Sequence, residues 1–179
     1  MATSISLYQA SVPMMIKGLR NMHLFLNKAE EFAKTKPVPE KDLITYRLIE
    51  DMRPLTYQVQ SCSDTCKHMA VRVAGYPPTK MEDNEASMAE LHERIDKTLK
   101  ILESLSPSSM DGDIQREVLM VTASMGTFKF TAYDYIVKYC VPNFHFHLSS
   151  AYCILRTQGV PLSAFDYLDA DKDLFHKVS

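Results

Sequence analysis

Apolar residues recur at alternating intervals of four and three positions through two long stretches of the chain, residues 4–34 and 41–74. This spacing places them on one face of a helix. The stripes comprise Tyr8, Val12, Met15, Leu19, Met22, Leu26, Ala29 and Ala33, and then Leu48, Met52, Leu55, Val59, Cys62, Cys66, Met69 and Val73. Such stripes predict helices packed lengthwise in a bundle. The short connection at 36–39 makes the two helices antiparallel neighbours, and Pro54 is expected to kink the second one.

The second half of the chain predicts two further helices and a hairpin. The third helix spans about residues 86–105, and the fourth starts near Pro142 and stops at Gly159. Residues 115–122 and 127–131 show strand-like alternation on either side of Gly126, which is typical of a small β-hairpin. The sequence therefore predicts one domain over residues 1–179. Its fold class is all-α, a four-helix bundle with a small β-hairpin inserted before the fourth helix.

The composition limits the partners and the compartment. The 179 residues are 46% hydrophobic, which suffices for one well-buried core. A formal net charge of −2 at pH 7 argues against nucleic acid as a partner, because phosphate binding needs a basic patch. No apolar run reaches membrane-spanning length, and the first residues lack the pattern of a targeting signal. The four cysteines lack the spacing of a disulfide framework, which favours free thiols and a cytoplasmic protein.

The predicted fourth helix carries the most informative polar residues. At about 100° per residue, Asn143 and His147 fall at the edge of its apolar stripe, whereas His145 and Tyr152 point away from it. A histidine directed into a bundle can move a proton, because its ordinary pKa lies near physiological pH, and it can also bind a metal or hold a ligand. A core histidine bonded to a backbone carbonyl or to Tyr8 is the alternative.

Three segments carry a family resemblance: Leu7-Tyr-Gln-Ala-Ser-Val-Pro13, Gly18-Leu-Arg-Asn21, and Val141-Pro-Asn-Phe-His-Phe-His147 with its continuation to Arg156 and Gly159-Val-Pro161. Together with Gln58-Val-Gln60 and Asp64, they resemble a family of small helical proteins from fungi and some bacteria. That family is catalogued as a domain of unknown function, number nineteen-ninety-three. It is similar to the DinB/YfiT-like four-helix bundles. Many of these proteins dimerise, and they include metalloenzymes and thiol transferases.

The resemblance implies a metal site of three histidines, one from helix two and an i,i+4 pair from helix four. Here His147 stands at the second position of that pair, but Asn143 stands at the first. Helix two offers His68, which lies away from its apolar stripe. Two of the three ligands are therefore absent or badly placed, and the sequence predicts no metal and no cofactor.

The DinB-like topology further implies which residues share one end of the core. It places the start of helix four beside the start of helix one and the end of helix two. We therefore expect His147 as the catalytic acid or base, with the ligand-binding residues Asn143, Tyr8, Gln58 and Cys66 around it. Asn143 and Gln58 would position a carbonyl or hydroxyl group, and Tyr8 would donate a hydrogen bond.

Two further sets of residues leave alternatives open. Asp64 and His68 form an i,i+4 pair suited to a carboxylate–imidazole hydrogen bond, and both are candidate ligand-binding residues. Their stripe lies nearly opposite the core face of helix two, so a solvated or subunit-contacting face is the alternative. Cys62 and Cys66 with His147 could hold a soft metal, or the two cysteines could simply be core.

The leading functional hypothesis is a small-molecule-binding protein that needs no metal. Its ligand would be a small, largely apolar organic molecule, and it would act as a homodimer in specialised metabolism, as the resemblance implies. Any catalysis would be acid–base chemistry at His147, such as isomerisation, cyclisation or loss of water. One alternative is a divalent-metal-dependent DinB-like hydrolase or thiol transferase. Another is a non-catalytic dimeric interaction module.

Overall fold

A computed structural model describes residues 5–122 and 124–178. Four long helices form a bundle: α1 (Val12–Thr35), α3 (Leu55–Ala74), α4 (Met88–Glu103) and α7 (Val141–Thr157). The shorter elements are α2 (Glu40–Thr45), α5 (Pro107–Met110), α6 (Ala132–Asp134), α8 (Ala164–Leu168) and the antiparallel strands β1 (Glu117–Thr122) and β2 (Gly126–Thr131). A π-helical segment, Tyr135–Cys140, joins α6 to α7. The predicted four-helix bundle with a hairpin before its last helix is confirmed.

The prediction of one kinked helix over residues 41–74 is wrong. The chain forms two helices instead, and Pro54 stands immediately before α3 in an extended conformation, with φ −71° and ψ 174°. The reason is steric, because a proline disfavours the α conformation of the residue before it and cannot donate a backbone hydrogen bond. Leu48 and Met52, which were predicted to continue the apolar stripe, therefore lie in the loop between the two helices.

Helix α3 is central in the bundle and packs against both α4 and α7, while α1 packs across α4 and α7. The predicted apolar stripes are buried where they fall on these helices. One close approach depends on Gly18 of α1. A Cβ atom added there would lie 2.5 Å from Cε1 of the buried Phe144 ring and 3.2 Å from a methyl group of Leu148. The lack of a side chain at Gly18 thus fixes the spacing between α1 and α7.

The π-helical segment has a local cause in Pro142. In a continuous α-helix the ring of Pro142 would clash with the carbonyl of Lys138, and no N–H would be available to bond it. The backbone instead shifts to the wider pattern, in which the N–H of Val141 donates to the carbonyl of Ile136. The helix therefore passes through the proline without ending, and the segment before Pro142 shares a face with α7.

The loop at residues 76–87 is held against α3 and α4 by Arg94. This guanidinium is 2% exposed and contacts three carboxylates, at 2.9 Å from Asp64, 3.0 Å from Asp83 and 2.8 Å from Glu85. Burial alone would raise the pKa of the Glu85 carboxyl, but hydrogen bonds from Arg94 and Gln60 outweigh it and hold that pKa below its ordinary value. A single buried cation thus joins the loop to both helices.

A stacked pair of histidines lies between α1 and α4. The Nδ1 atoms of His23 and His92 are 2.6 Å apart, and Nε2 of His23 lies 3.0 Å from the Asp96 carboxylate. Because a carboxylate only accepts, His23 donates from Nε2, and His92 then donates from Nδ1 to His23. Nε2 of His92 is left buried, with no hydrogen-bond partner among the described residues.

The stability of the fold is expected to fall as the solution is acidified. Burial, and then the neighbouring His23, lower the pKa of His92 below 6.5, and burial also lowers the pKa values of His68, His145 and His147. Between the ordinary pKa of about 6.5 and the lower folded-state values, the unfolded chain binds more protons than the folded one, so the free energy of unfolding rises with pH. The stabilisation from these histidines is therefore present above about pH 6.5 and is lost as the pH falls through the folded-state pKa values. Urea unfolding between about pH 7.5 and pH 5 measures this slope. His92→Gln should reduce it, and an identical slope in the variant would contradict the assignment.

No helix in the described part of the chain combines the length and the apolar character needed to cross a membrane.

Candidate functional site

A cleft of about 310 Å³ runs between α3 and the helix formed by the π-helical segment and α7. Its walls are two stripes of side chains at helical spacing. The stripe on α3 comprises Tyr57, Ser61, Asp64, Thr65, His68 and Arg72. The facing stripe comprises Tyr135, Tyr139, Asn143 and His147, and the lining is completed by Gln60 and Asp83. The two helices are antiparallel, so the cleft has one end at His147 and the other at Arg72.

A chain of hydrogen bonds fixes the protonation state of His147 at one end of the cleft. The buried Gln58 amide donates from Nε2 to the carbonyl of Arg53 at 2.9 Å, so its Oε1 faces Nδ1 of His147 at 2.8 Å. An amide oxygen only accepts, and Nδ1 must therefore carry the proton. A neutral ring with its proton on Nδ1 has its lone pair on Nε2. Among the described residues, Nε2 has no hydrogen-bond partner.

The surroundings of His147 keep the ring neutral and fixed. The rings of Tyr57 and Phe146 pack against it in T-shaped contacts, with ring centroids 5.9 Å and 5.1 Å away. Burial lowers the pKa of His147, because a partly desolvated imidazole resists protonation. An unprotonated Nε2 at neutral pH, on a ring whose other nitrogen is held by Gln58, has the properties of a general base.

Asn143 lies one helical turn before His147 on the same face. Its amide donates from Nδ2 to the hydroxyl of Thr65 at 2.8 Å, and that hydroxyl donates in turn to the carbonyl of Ser61 at 2.7 Å. Because the Thr65 proton is already used, the Asn143 nitrogen is the donor of the pair and its Oδ1 is the unused acceptor. Asn143 therefore offers a ligand an acceptor beside the basic Nε2 of His147.

Arg72 forms the other end of the cleft. Its guanidinium donates to the hydroxyl of Tyr135 at 2.6 Å and lies over the ring of that tyrosine, 5.7 Å from the centroid. Burial raises the pKa of Tyr135, so the phenol stays neutral and does not balance the charge of Arg72. Among the described residues, no carboxylate forms an ion pair with Arg72.

Two of the predicted ligand-binding residues, Asp64 and His68, line the cleft. The predicted hydrogen bond between them is wrong, because the Asp64 carboxylate is engaged by Arg94 at 2.9 Å and by Lys67 at 2.8 Å. Burial, and then the charge of Arg72, lower the pKa of His68, so this ring is neutral in the cleft. Both side chains are partly exposed along the cleft.

The predictions for Tyr8 and Cys66 are wrong. Tyr8 lies near α5, with its backbone nitrogen 3.5 Å from the Asp111 carboxylate. Helix α5 adjoins the end of α3, because Arg116 donates to the carbonyls of both Met110 and Val73, whereas Gln58 lies in the first turn of α3. Cys66 is fully buried and lines no part of the cleft, and burial raises the pKa of its thiol. Both cysteines of the proposed soft-metal set are core residues, and the Cys62 thiol donates to the carbonyl of Phe144.

The side chains present do not fit the three-histidine metal site that the resemblance implies. Asn143 occupies one ligand position and is tied to Thr65 through its nitrogen. In residues 5–122 and 124–178, no three His, Cys, Asp or Glu side chains come together in an arrangement that could hold a metal ion. His147 stands alone as a potential ligand at its end of the cleft, and Asp64 is already neutralised by two cations.

A larger groove of about 550 Å³ lies between the 76–87 loop and α4. Its charged lining consists largely of exposed lysines and glutamates, including Lys80, Glu90, Glu93, Lys97 and Lys100. Long exposed side chains of mixed sign give little preorganisation, because each is free to move in water. In the smaller cleft, by contrast, Gln58, Thr65 and Tyr135 hold the reactive groups in place.

Sequence reasoning missed the Arg72 end of the cleft, including Tyr135 and Tyr139. A signal was present, because these tyrosines precede Asn143 and His147 at constant intervals of four. Following that interval back through Pro142 would have placed them on one helical face. Recognising it required the helix to continue through the proline, which the π-helical segment permits.

Comparisons with known proteins agree on the family. Residues 7–168 match the family described as domain of unknown function (DUF1993). The structure is similar to that of a DinB family member protein from Shewanella denitrificans, with a TM-score of 0.86 and 32% sequence identity, covering 97% of this chain and 96% of that chain. No curated protein matches the sequence. The chain therefore belongs to the DUF1993 family and has the DinB-like fold that the resemblance implied.

Proposed function

We propose that this protein binds a small polar organic molecule in the cleft and that His147 abstracts a proton from it through Nε2. The hydrogen-bond chain from the Arg53 carbonyl through Gln58 to Nδ1 of His147 carries this proposal. It holds the neutral ring in one tautomer, as general-base catalysis requires. The reaction class is acid–base chemistry without a metal, such as isomerisation, cyclisation or loss of water.

The geometry near His147 favours a ligand with a hydroxyl or amine group. Oδ1 of Asn143 and Nε2 of His147 are both acceptors and lie one turn apart on the same helical face. A ligand O–H or N–H group can donate to Asn143 while a nearby proton points to His147. The polar lining also argues for a polar ligand rather than the largely apolar one predicted from the sequence. Gln58 acts as a positioning residue for His147 and not as a ligand contact.

The metal-dependent alternative receives no support from the ligand set around His147. The four cysteines are free thiols, three of them buried, which fits the predicted cytoplasmic location. The homodimer and the role in specialised metabolism stay predictions. Light scattering during gel filtration tests the dimer directly.

Alkylation by bromoacetamide tests the basic Nε2 of His147. We expect the reagent to label His147 at Nε2, and labelling should persist to lower pH than in an exposed histidine peptide because burial lowers the pKa of His147. His92 should stay unmodified, since its Nε2 is buried. Peptide mapping by mass spectrometry separates these sites from the exposed thiol of Cys153.

Gln58→Leu serves as the matched variant for this experiment. Removing the Gln58 oxygen frees the ring to adopt both tautomers, so the label should divide between Nδ1 and Nε2. The native protein should instead give the Nε2 product alone. Absence of label on His147, or equal labelling of His147 and His92, would contradict the proposed function.

A further inference from the structure

We infer that the cleft takes an extended ligand whose far end carries a carboxylate or phosphate group, and that Arg72 binds this group. The inference rests on the proposed function, because it places the other end of the ligand at His147. Both residues line the same cleft, at its opposite ends. The anion at one end would fix the position of the reacting group at the other.

Arg72 is prepared to bind an anion. Its guanidinium is oriented by the hydrogen bond to the Tyr135 hydroxyl and by the ring beneath it. That contact uses one of five N–H donors, and the planar fork of a guanidinium suits two oxygens of a carboxylate or phosphate. Arg72 is partly buried, which strengthens such a contact relative to open water.

Other charges of the lining direct an anion to this end. Arg72 is the one arginine or lysine among the residues that line the cleft. The lining carboxylates, Asp64 and Asp83, both contact Arg94, which lies behind the wall of the cleft. Asp64, which lies between the two ends of the cleft, is also held by Lys67, so both carboxylates already have cationic partners. The nearby His68 is neutral, because burial and Arg72 lower its pKa. Arg72 is therefore the cation of the lining that an anionic ligand can reach.

The length of the cleft sets the length of the ligand. Arg72 follows Gln58, the partner of His147, by roughly four helical turns, or on the order of 21 Å along α3. Long helical side chains lean toward the N-terminus of their helix, and Gln58 leans the same way as Arg72, so the guanidinium lies on the order of 20 Å from the His147 ring. A cleft of about 310 Å³ is at the small end of the range for ligand sites, which suits a slender molecule.

A series of N-bromoacetyl ω-amino acids of increasing chain length measures this span. When the carboxylate docks at Arg72, the bromomethyl carbon reaches His147. The Nε2 lone pair bonds to that carbon, the carbon–bromine bond breaks and bromide leaves, so the ring becomes an alkylated imidazolium that keeps its Nδ1 proton. We expect the labelling rate to peak at a chain of roughly 20 Å. At that length the acid should react about tenfold faster than the corresponding carboxamide.

The variants separate this inference from the proposed function. Arg72→Gln should abolish the preference for the acid while leaving the rate with neutral bromoacetamide unchanged, and Arg72→Lys should retain part of the preference. Arg20→Gln is the matched control, because Arg20 lies on α1, pairs with Glu103 at the surface and is outside the lining. Bromoacetamide labelling of His147 with no acid preference and no length optimum in the native protein would overturn the inference alone. Failure of every reagent to label His147 would overturn both.

Discussion

Replacing Arg94 by methionine is expected to lower the free energy of unfolding by about 3–5 kcal/mol, the usual result of removing one partner from a buried ion pair. The side chain is 2% exposed and contacts Asp64, Asp83 and Glu85. Methionine fills much of the same space but leaves Asp83 and Glu85 without this counter-charge and Asp64 with Lys67 alone. The loss of the cation costs most at the Glu85 carboxylate, because only 9% of that side chain is exposed and water cannot replace Arg94 there.

Urea unfolding measures the effect of Arg94→Met, with Lys97→Met as the control on the same helix. Lys97 is exposed and forms only a long i,i+4 contact with Glu93, so its loss should change the free energy of unfolding by less than about 0.5 kcal/mol. Hydrogen exchange should also show faster exchange in the 76–87 loop of the Arg94 variant. Equal stability of the two variants would contradict the role assigned to Arg94.

Gly18→Ala is expected to destabilise the fold by about 1–3 kcal/mol, although alanine is the better helix former. In an isolated helix this change would gain about 1 kcal/mol. Here the new methyl group would lie 2.5 Å and 2.8 Å from two ring atoms of Phe144, which is fully buried and cannot swing away. Relief of the clash requires α7 to move away from α1, and α7 carries Asn143 and His147.

A second substitution distinguishes this clash from any local effect on α1. Adding Phe144→Leu removes the ring atoms that the new methyl group would meet, so the double variant should be more stable than the sum of the single changes implies. The coupling is measured by urea unfolding of the four proteins in the cycle. Additive effects, or a Gly18→Ala protein more stable than the native one, would contradict the close approach of α1 and α7.

Much of the bundle follows from apolar periodicity, and the failures lie where the backbone departs from a regular helix. The stripes of α1, α4 and α7 were predicted because a helix that buries one face carries apolar residues at a regular spacing in the sequence. Apolar spacing before Pro54 continued the same pattern by chance, although Leu48 and Met52 lie in a loop. Residues 133–139 were left unassigned, because their repeat of four becomes readable only if the helix continues through Pro142, which the π-helical segment permits.

The site was predicted in part. His147, Asn143 and Gln58 do lie together, and it was the family resemblance that implied their proximity. The position of Tyr8 depended on which ends of the helices adjoin, and the sequence carries little information on that. Besides Lys67, Asp64 is bound by Arg94, which comes from another helix and is buried despite its charge. A long-range ion pair of this kind leaves no spacing pattern along the chain.

The protonation state of a single nitrogen atom, Nε2 of His147, is measured directly by long-range ¹H–¹⁵N correlation spectroscopy of the imidazole ring. At neutral pH we expect the proton on Nδ1 and an unprotonated Nε2, with a pKa below the ordinary value because the ring is partly buried. In Gln58→Leu the ring should exchange between its two tautomers, so the chemical shifts of Nδ1 and Nε2 should average toward each other. A native ring protonated on Nε2, or charged at neutral pH, would contradict a general base at this position.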